Sequence, residues 1–336
     1  MVLESKHMRI FAYEHITGGA LTDHTALAAL APEGEAMLRA LVRDLAEIPG
    51  VEVVAMRDSR LTLDLPAVTH VSESAREFWP AFRRVMLESD AVWLIAPEQD
   101  RILERLSVEV LESGRRLLGS RTDAVRVTAS KLRTAHALQA AGVKAIPTFS
   151  DESSMPDDVQ EAVVKPDDGA GCQETYLFQG RADLRTWLRD HPARGRIFQP
   201  FVRGTALSLS VLACDGRARL LACNRQHVQI DEGRFEFHGV SVNAVRDIDG
   251  RYARLARKVM RALPGLWGYV GIDLIDTREC PVVVEINPRL TTSYAGLHRA
   301  LGINPARLVL ELPGSLDDVG MARSSRVVDV EVAHAG

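Results

Sequence analysis

Three oxygen-bearing side chains occur in two neighbouring apolar segments of the sequence. Asp273 lies within YVGIDLI (residues 269–275), and Glu285 and Asn287 end VVVEIN (residues 282–287). Two acids that lie side by side repel each other unless a cation lies between them. Oxygen ligands suit Mg²⁺, and two such ions about 3.5–4 Å apart can hold a phosphoryl group during its transfer. A solvated sheet face with ordinary acids is the alternative, but the surrounding Val, Ile and Leu residues favour a metal site.

The alternating pattern of both segments is that of β-strands, and strands would position these side chains. If residues 277–281 form the loop between antiparallel strands, Asp273 lies directly opposite Glu285, with the Cβ atoms about 5 Å apart. Alternation sends Glu285 and Asn287 to one face of their strand. The opposite face is predicted to be a core face, made of Val282, Val284 and Ile286.

Arg289 follows Asn287 by two positions, after Pro288. Its guanidinium group can hold a phosphate or a carboxylate through two parallel N–H bonds. A surface arginine in a loop is the alternative interpretation.

A glycine loop after a short apolar strand is a candidate for phosphate binding. Residues 162–172 (AVVKPDDGAGC) place Lys165 at the strand end, and Gly169 and Gly171 in the following loop. Glycines let backbone N–H groups approach a phosphate closely, and the lysine supplies charge. Many ordinary turns contain two glycines, and the segment is not a Walker sequence.

Lys131 occupies the first turn of a predicted helix over residues 128–141, capped by Thr128 or Ser130. A cation there opposes the helix dipole, at a cost of about 0.3–1 kcal/mol, unless an anion is nearby. A bound phosphate would remove the conflict. A lysine that points into solvent explains the feature equally well.

An apolar segment with one polar interruption is a candidate for adenine binding. In IFQPFVRG (residues 197–204), Gln199 interrupts the apolar run, and backbone groups around Phe201 and Val202 are predicted to contact the adenine edge. A plain β-strand is the default alternative. Arg225, on a later strand, is a weaker candidate for contact with phosphate or substrate.

The elements around these segments predict two kinds of architecture. Up to about residue 120, strands alternate with helices, which indicates an open α/β sheet. Its predicted strands are residues 8–13, 51–56 and 91–96, and its predicted helices are residues 33–48, 78–88 and 102–112. From about residue 125 the pattern becomes α+β with antiparallel hairpins. Predicted strands there cover residues 143–149, 162–165, 197–202, 207–213, 219–229, 269–275 and 282–287, with helices at 128–141, 182–190 and 252–263.

Composition excludes some functional classes. The 336 residues are 46% hydrophobic with a net charge of −4, which suits a globular protein of two or three units and argues against a nucleic-acid binder. We predict no membrane span, because no apolar stretch approaches about 18 residues. The four cysteines form no C-x-x-C pair, which favours reduced thiols and a cytoplasmic protein. We interpret residues 1–7, before Met8, as a cloning remnant or an unused start.

Together these segments resemble the ATP-grasp superfamily over residues 125–312. The residues that carry the resemblance are Lys131, Lys165, Gly169, Ala170, Gly171, Gln199, Phe201, Val202, Asp273, Glu285, Asn287 and Arg289, the last three within E-I-N-P-R. The resemblance implies a fold with an N-terminal open α/β pre-ATP-grasp domain (residues 8–124). Two α+β subdomains (residues 125–198 and 199–320) would enclose ATP. It also implies ATP and Mg²⁺ as cofactors, with two ions on Asp273, Glu285 and Asn287, and Mn²⁺ able to substitute.

Within the superfamily the chain is most similar to the tyramine–glutamate ligases of methanofuran biosynthesis. The similarity lies in Glu14-x-x-Thr17-Gly18-Gly19, in Ala96-Pro97-Glu98 and around Asn224-Arg225-Gln226 and Asn287–Tyr294. It implies a γ-glutamyl amide formed from glutamate and tyramine, or a tyrosine-like amine, through an acylphosphate. Lys165 and Arg289 would act in catalysis, and Glu14, Thr17, Gly18 and Glu98 would contact substrate at strand ends. One departure is Ala206, where many ATP-grasp enzymes carry a glutamate.

Other functions remain open on the sequence alone. A peptide or polyglutamate ligase would use the same nucleotide machinery, and a non-catalytic ATP sensor would bind ATP without turnover. An intact set of Asp273, Glu285 and Asn287 counts against the sensor. A homodimer would be unsurprising, and a role for Cys172 beside the glycine loop is left open.

Overall fold

The computed structural model describes residues 7–74, 76–169, 171–312, 316 and 324–332. The described residues do not include residues 1–6, which are most of the segment interpreted as a cloning remnant or an unused start. They also do not include Ala170 of the glycine loop or most of residues 313–320. None of the described helices is long and apolar enough to cross a lipid bilayer.

The N-terminal unit is a five-stranded parallel sheet covered by helices, as the alternating pattern predicted. Its strands are β1 (Met8–Glu14), β2 (Val51–Asp58), β3 (Val68–Ser72), β4 (Ala91–Ile95) and β5 (Arg116–Leu117), in the order β3-β2-β1-β4-β5. The helices are α1 (His24–Ala46), α2 (Phe78–Leu87) and α3 (Ile102–Glu112), with a 3₁₀ turn at Gln99–Arg101. Because parallel sheets are covered on both faces, β4 is buried at every position. Because β1 and β4 are parallel neighbours, their carboxyl ends lie at the same edge of the sheet.

The rest of the chain builds a second, largely antiparallel sheet. Its strands are β6 (Ala162–Pro166), β7 (Tyr176–Phe178), β8 (Arg196–Pro200), β9 (Thr205–Cys214), β10 (Arg217–Asp231), β11 (Arg234–Val245), β12 (Gly268–Asp276), β13 (Pro281–Asn287) and β14 (Val328–Glu331). Their order is β13-β12-β9-β10-β11-β7-β6-β8, and β14 pairs with β11. The helices are α4 (Thr122–Thr128), α5 (Lys131–Ala140), α6 (Arg181–Asp190), α7 (Arg251–Ala262), α8 (Tyr294–Leu301) and α9 (Pro305–Glu311), with a 3₁₀ turn at Glu152–Ser154.

Three predicted elements differ in the structure. The predicted helix over residues 128–141 is two helices, because Thr128 ends α4 and the Ser130 side chain caps α5 by accepting the amide of Arg133 at 3.1 Å. The predicted strand over residues 143–149 makes only isolated bridges, at Ala145 and Phe149. Helix α1 begins at His24, nine residues before the predicted start at Glu33, with Asp23 as its cap.

The proposed domain boundaries stay predictions. The boundary between residues 124 and 125 falls inside α4. Strand β14, beyond residue 320, pairs with β11 and so extends the C-terminal sheet past the predicted end of the third unit.

Candidate active site

The three predicted metal ligands meet on β13, at the edge of the second sheet, and on its neighbour β12. Asp273 on β12 pairs directly with Glu285 on β13, and Gly271 pairs with Asn287, as the strand pattern predicted. Asn287 donates its side-chain amide to Asp273 Oδ2 at 3.2 Å, and Gln226 on β10 donates to Asp273 Oδ1 at 3.1 Å. The three ligand candidates line one cavity of about 600 Å³.

The predicted core face of β13 is wrong at Val284. Asp273 pairs with Glu285 but Leu274 pairs with Val283, so Val284 is the extra residue of a β-bulge. The bulge turns Val284 toward the cavity, while Val283 and Ile286 are buried in the core at 1% and 2% exposure. The alternation that places Glu285 and Asn287 on one face holds only beyond the bulge.

Lys131, on α5, and Lys165, on β6, carry positive charge to the carboxylates. Lys131 Nζ lies 3.4 Å from Glu285 Oε2 and also donates to the carbonyl of Gly169. Both lysines line the cavity and are buried, with exposures of 7% and 8%. Burial, opposed by the charge of Glu285, lowers the pKa of Lys165 to about 8.

The pKa values of Asp273 and Glu285 shift in opposite directions. Burial, together with the neighbouring charge of Glu285, raises the pKa of Asp273 well above its usual value. Burial would also raise the pKa of Glu285, but Lys131 and Lys165 outweigh it, so that pKa lies below the usual value. A carboxylate pair of this kind gains from a further cation between its members.

The donor set fits a magnesium site. Among the described residues no three His, Cys, Asp or Glu side chains cluster, and the candidate third ligand is the amide oxygen of Asn287. Two carboxylates and one amide oxygen are hard ligands, which Mg²⁺ prefers, with phosphate and water to complete its shell. The pKa of Asp273 is raised by its burial and by the neighbouring charge of Glu285, and a bound cation would offset both effects.

Hydrogen bonds connect the glycine loop to helix α5 and to the N-terminal unit. The carbonyl of Asp167 accepts the backbone amide of Lys131 at 3.1 Å, and its carboxylate accepts the backbone amide of Leu132 at 2.9 Å. These bonds place an acid at the start of α5. Asp168 accepts the amide of Asp100, at 3.2 Å, from the N-terminal unit. Gly169 and Gly171 line the cavity.

Cys172 also lines the cavity, next to Gly171. Burial raises the pKa of its thiol to about 12, so the thiolate that reacts with electrophiles is scarce at neutral pH.

The predicted adenine segment lies at the far wall of the cavity. Gln199, Phe201 and Val202 all line it, together with Ala206. The Gln199 side chain donates to Thr148 Oγ1 at 2.8 Å, and the Phe201 amide donates to the carbonyl of Glu161 at 2.9 Å. The Phe201 amide is thus already engaged within the protein.

Arg289 reaches the N-terminal unit. Its Nη2 and Nε donate to Glu98 Oε2 at 3.0 and 3.3 Å, and its Nη1 donates to the carbonyl of Leu290. A guanidinium group carries five N–H groups, so two remain beyond these three bonds for a ligand in the cavity that Arg289 lines. Burial lowers the pKa of Arg289, but Glu98 and Glu33 outweigh this effect and raise it.

The predicted substrate contacts at the end of β1 separate into two groups. Glu14 lines the cavity, and its carboxylate accepts the amides of Ile16 and Thr17 and the hydroxyl of Thr17, at 3.1, 2.6 and 2.7 Å. Thr17 is fully buried, and a side chain at Gly18 would collide with Tyr13, 2.5 Å away. Thr17 and Gly18 are not among the residues that line the cavity, so they shape the turn that holds Glu14.

Arg225 does not reach the cavity. It is exposed on β10, whereas Gln226, Val228 and Ile230 line the cavity from the opposite face of the same strand. Strand alternation explains the error, because neighbouring residues point to opposite faces. Gln226, which contacts Asp273, occupies the place predicted for Arg225.

A group of cavity residues on α1 and after β13 was not predicted from the sequence. Glu33 and Gly34 line the cavity, and Thr292 donates its hydroxyl to Glu33. The sequence provided little indication that these residues line a cavity. It placed Glu33 only at the start of a predicted helix and Thr292 only in the segment after Arg289. Their proximity depends on how α1 packs against α8 and α9.

Residues 128–293 match the ATP-grasp domain family, and residues 51–125 match the pre ATP-grasp 3 domain family. The chain belongs to the ATP-grasp superfamily, as the sequence motifs predicted. Two curated relatives are tyramine–L-glutamate ligases of Methanocaldococcus jannaschii and Methanocaldococcus fervens, 28% and 30% identical over 208 residues. These alignments cover 62% of this chain and 58% and 61% of the relatives, so the chain spans about three-fifths of the relatives' length.

Solved structures confirm the fold. An ATP-grasp superfamily protein from Archaeoglobus fulgidus superposes with a TM-score of 0.72 at 23% identity, over 96% of this chain and 92% of that one. An L-amino acid ligase from Bacillus licheniformis superposes with a TM-score of 0.69 at 15% identity, over 94% and 78%. At these identities the likeness concerns the fold alone.

Proposed function

We propose that the chain is an ATP-dependent carboxylate–amine ligase that joins the γ-carboxylate of glutamate to tyramine or a tyrosine-like amine. The observation that carries the proposal is the facing of two sets of groups across one cavity: Asp273, Glu285 and Asn287 on one side, and Lys131 and Lys165 on the other. The names of the two curated relatives support the choice of substrates. A place in methanofuran-type cofactor synthesis follows from those names and belongs to the same proposal.

The proposed reaction has two steps. An oxygen of the γ-carboxylate attacks the γ-phosphorus of ATP, and the bond to ADP breaks, so that ADP leaves with the electron pair. The amine, after losing a proton, then attacks the acyl carbon, and phosphate leaves with the electrons of the C–O bond. The products are ADP, phosphate and a γ-glutamyl amide.

The chain's own groups position and neutralise charge in these steps. Lys131 and Lys165 hold phosphate oxygens, and the amides around Gly169 and Gly171 cover them. Arg289 uses its two remaining N–H groups on the acylphosphate. Asp273, Glu285 and Asn287 would hold Mg²⁺, which supplies charge neutralisation and orientation of the phosphates. Closure of the glycine loop keeps water from the acylphosphate.

Gln199, Phe201 and Val202 line the wall proposed for adenine. Because the Phe201 amide is engaged by Glu161, we assign the polar contact to the backbone around Val202 and the stacking contact to the Phe201 ring.

Phosphate release from Mg-ATP tests the proposal, with glutamate as donor and tyramine, tyrosine or glutamate as acceptor. We expect an amide product with the aromatic amine, lost in Glu285→Gln but kept in Glu279→Gln, an exposed acid of the β12–β13 turn. Addition of glutamate instead would identify a polyglutamate ligase. ATP binding without phosphate release for any acceptor would identify a sensor and would overturn the proposal.

A further inference from the structure

The cavity extends from Lys131 and Lys165, proposed to bind phosphate, into the N-terminal unit, where its lining includes apolar and acidic side chains. We call this part the N-terminal lobe, whose lining includes Glu14, His15, Leu21, Leu30, Glu33, Met37 and Ile95. Four of these seven side chains are apolar, two are acidic and one is a histidine. A ligand that fills the lobe therefore needs an apolar body and a group that matches a carboxylate.

The charges around the lobe are unbalanced. The cations among the described lining residues are Lys131, Lys165 and Arg289. Lys131 contacts Glu285 at the other end of the cavity, and Arg289 is paired with Glu98 at 3.0 Å. His15, which also lines the lobe, stays neutral at pH 7 because burial, helped by Arg105, lowers its pKa to about 4.

Glu14 and Glu33 differ in the hydrogen bonds that their carboxylates already accept. Glu14 accepts three hydrogen bonds from the turn that follows it, so its carboxylate organises that turn. Glu33 is oriented by the hydroxyl of Thr292, which comes from the segment just after Arg289. Gly34 lets α1 approach this closely, because a Cβ atom there would lie 2.6 Å from Glu14 Oε2. Glu33 thus lies beside the loop that carries the arginine proposed for the acylphosphate.

We propose that Glu33 binds the ammonium group of the acceptor and makes the lobe selective for a primary amine with an aromatic or apolar body and no carboxylate. This inference rests on the proposed ligase function. A carboxylate on the acceptor would face Glu14 and Glu33. Arg289, the lining cation whose charge interacts with Glu33, is already paired with Glu98, and its two remaining N–H groups are assigned to the acylphosphate. Like-charge contacts of this kind exclude a ligand more effectively than a missing attraction.

The experiment separates acylphosphate formation from acceptor binding. Hydroxylamine replaces the acceptor in one assay, and the glutamyl hydroxamate formed with Mg-ATP and glutamate reports the acylphosphate. Tyramine and tyrosine are compared in a second assay through their kcat/KM values. The variants are Glu33→Gln and, as a matched control on the same helix, Glu35→Gln, whose carboxylate pairs with Arg39.

We expect wild type to prefer tyramine over tyrosine. In Glu33→Gln the loss of kcat/KM for tyramine should exceed any loss of hydroxamate formation by about ten- to a hundredfold, mainly through KM, as expected for one charge-assisted hydrogen bond. The preference over tyrosine should shrink in the same variant, and Glu35→Gln should behave as wild type.

Two failures are distinguishable. Normal hydroxamate formation, combined with an unchanged KM for tyramine in Glu33→Gln or with equal use of tyrosine by wild type, overturns the role of Glu33 and leaves the ligase proposal standing. No glutamate-dependent hydroxamate from wild type overturns both.

Discussion

Arg289 and Glu98 form an ion pair, 3.0 Å between Nη2 and Oε2, that joins the loop after β13 to the end of β4. Their side chains are only 11% and 8% exposed, so the pair is largely removed from water. Glu98 Oε1 has no hydrogen-bond partner among the described residues. The pair holds the candidate acylphosphate-binding arginine at the junction of the two sheets.

Removing one partner of this pair should destabilise the protein strongly. We expect Arg289→Ala to lower the free energy of unfolding by about 3–5 kcal/mol, because Glu98 is left charged and poorly hydrated. Arg289→Ala with Glu98→Ala should cost less than the sum of the single changes. Urea denaturation measures all three variants.

The exposed pair Arg203–Glu161 is the control for that cycle, with 76% of the arginine side chain exposed. Its coupling energy should stay below about 1 kcal/mol. Additive costs at Arg289 and Glu98 would contradict the account of a buried pair.

Asp273→Asn should separate stability from activity. Because burial and Glu285 raise the pKa of Asp273, neutralising this residue should leave the melting temperature without ligands unchanged or higher. The rise in melting temperature on adding Mg-ATP should disappear, and ligase activity should fall at least about 100-fold. Differential scanning fluorimetry and phosphate release measure the two effects. Asp231→Asn, at an exposed position on β10, should change neither; a Mg-ATP response retained by Asp273→Asn would argue against its role as a ligand.

Gly34→Ala should destabilise the protein, contrary to the usual effect in a helix. Replacing glycine by alanine within a helix normally gains about 0.5–1 kcal/mol. Here the new Cβ would lie 2.6 Å from Glu14 Oε2, so the Glu14 turn or α1 has to move. Chemical denaturation gives the sign directly, and the KM for the acceptor should rise as well. A gain in stability would show that α1 and the Glu14 turn are not in close contact.

The pH dependence of stability should include a contribution from His15. Burial lowers the pKa of His15 from 6.5 to about 4, so between these values the unfolded chain binds a proton that the folded protein does not. The stability from this group is therefore present above about pH 6.5 and lost as the pH falls toward 4, by about 3 kcal/mol. Urea denaturation between pH 7.5 and 4.5 should show a shallower decline for His15→Gln than for wild type. Parallel pH profiles would place the origin of the decline elsewhere.

The sequence by itself determined the local geometry of the site. Alternation within two strands and a short connection were enough to pair Asp273 with Glu285, because a strand repeats every two residues. The same reasoning failed at Val284, where a bulge adds one residue that no feature of VVVEIN announces. It also failed at Arg225, where residue type outweighed the strand face.

The tertiary structure alone decided which distant segments share the cavity. Glu33 meets Thr292 and lies near Arg289 only because α1 packs against α8 and α9 and approaches the end of β1, where Gly34 permits the close contact with Glu14. Glu98 likewise meets Arg289 across 191 positions of sequence. Local periodicity records the direction of a side chain relative to its own strand or helix. Which elements then lie against each other depends on packing summed over the whole chain, and no single segment carries that information.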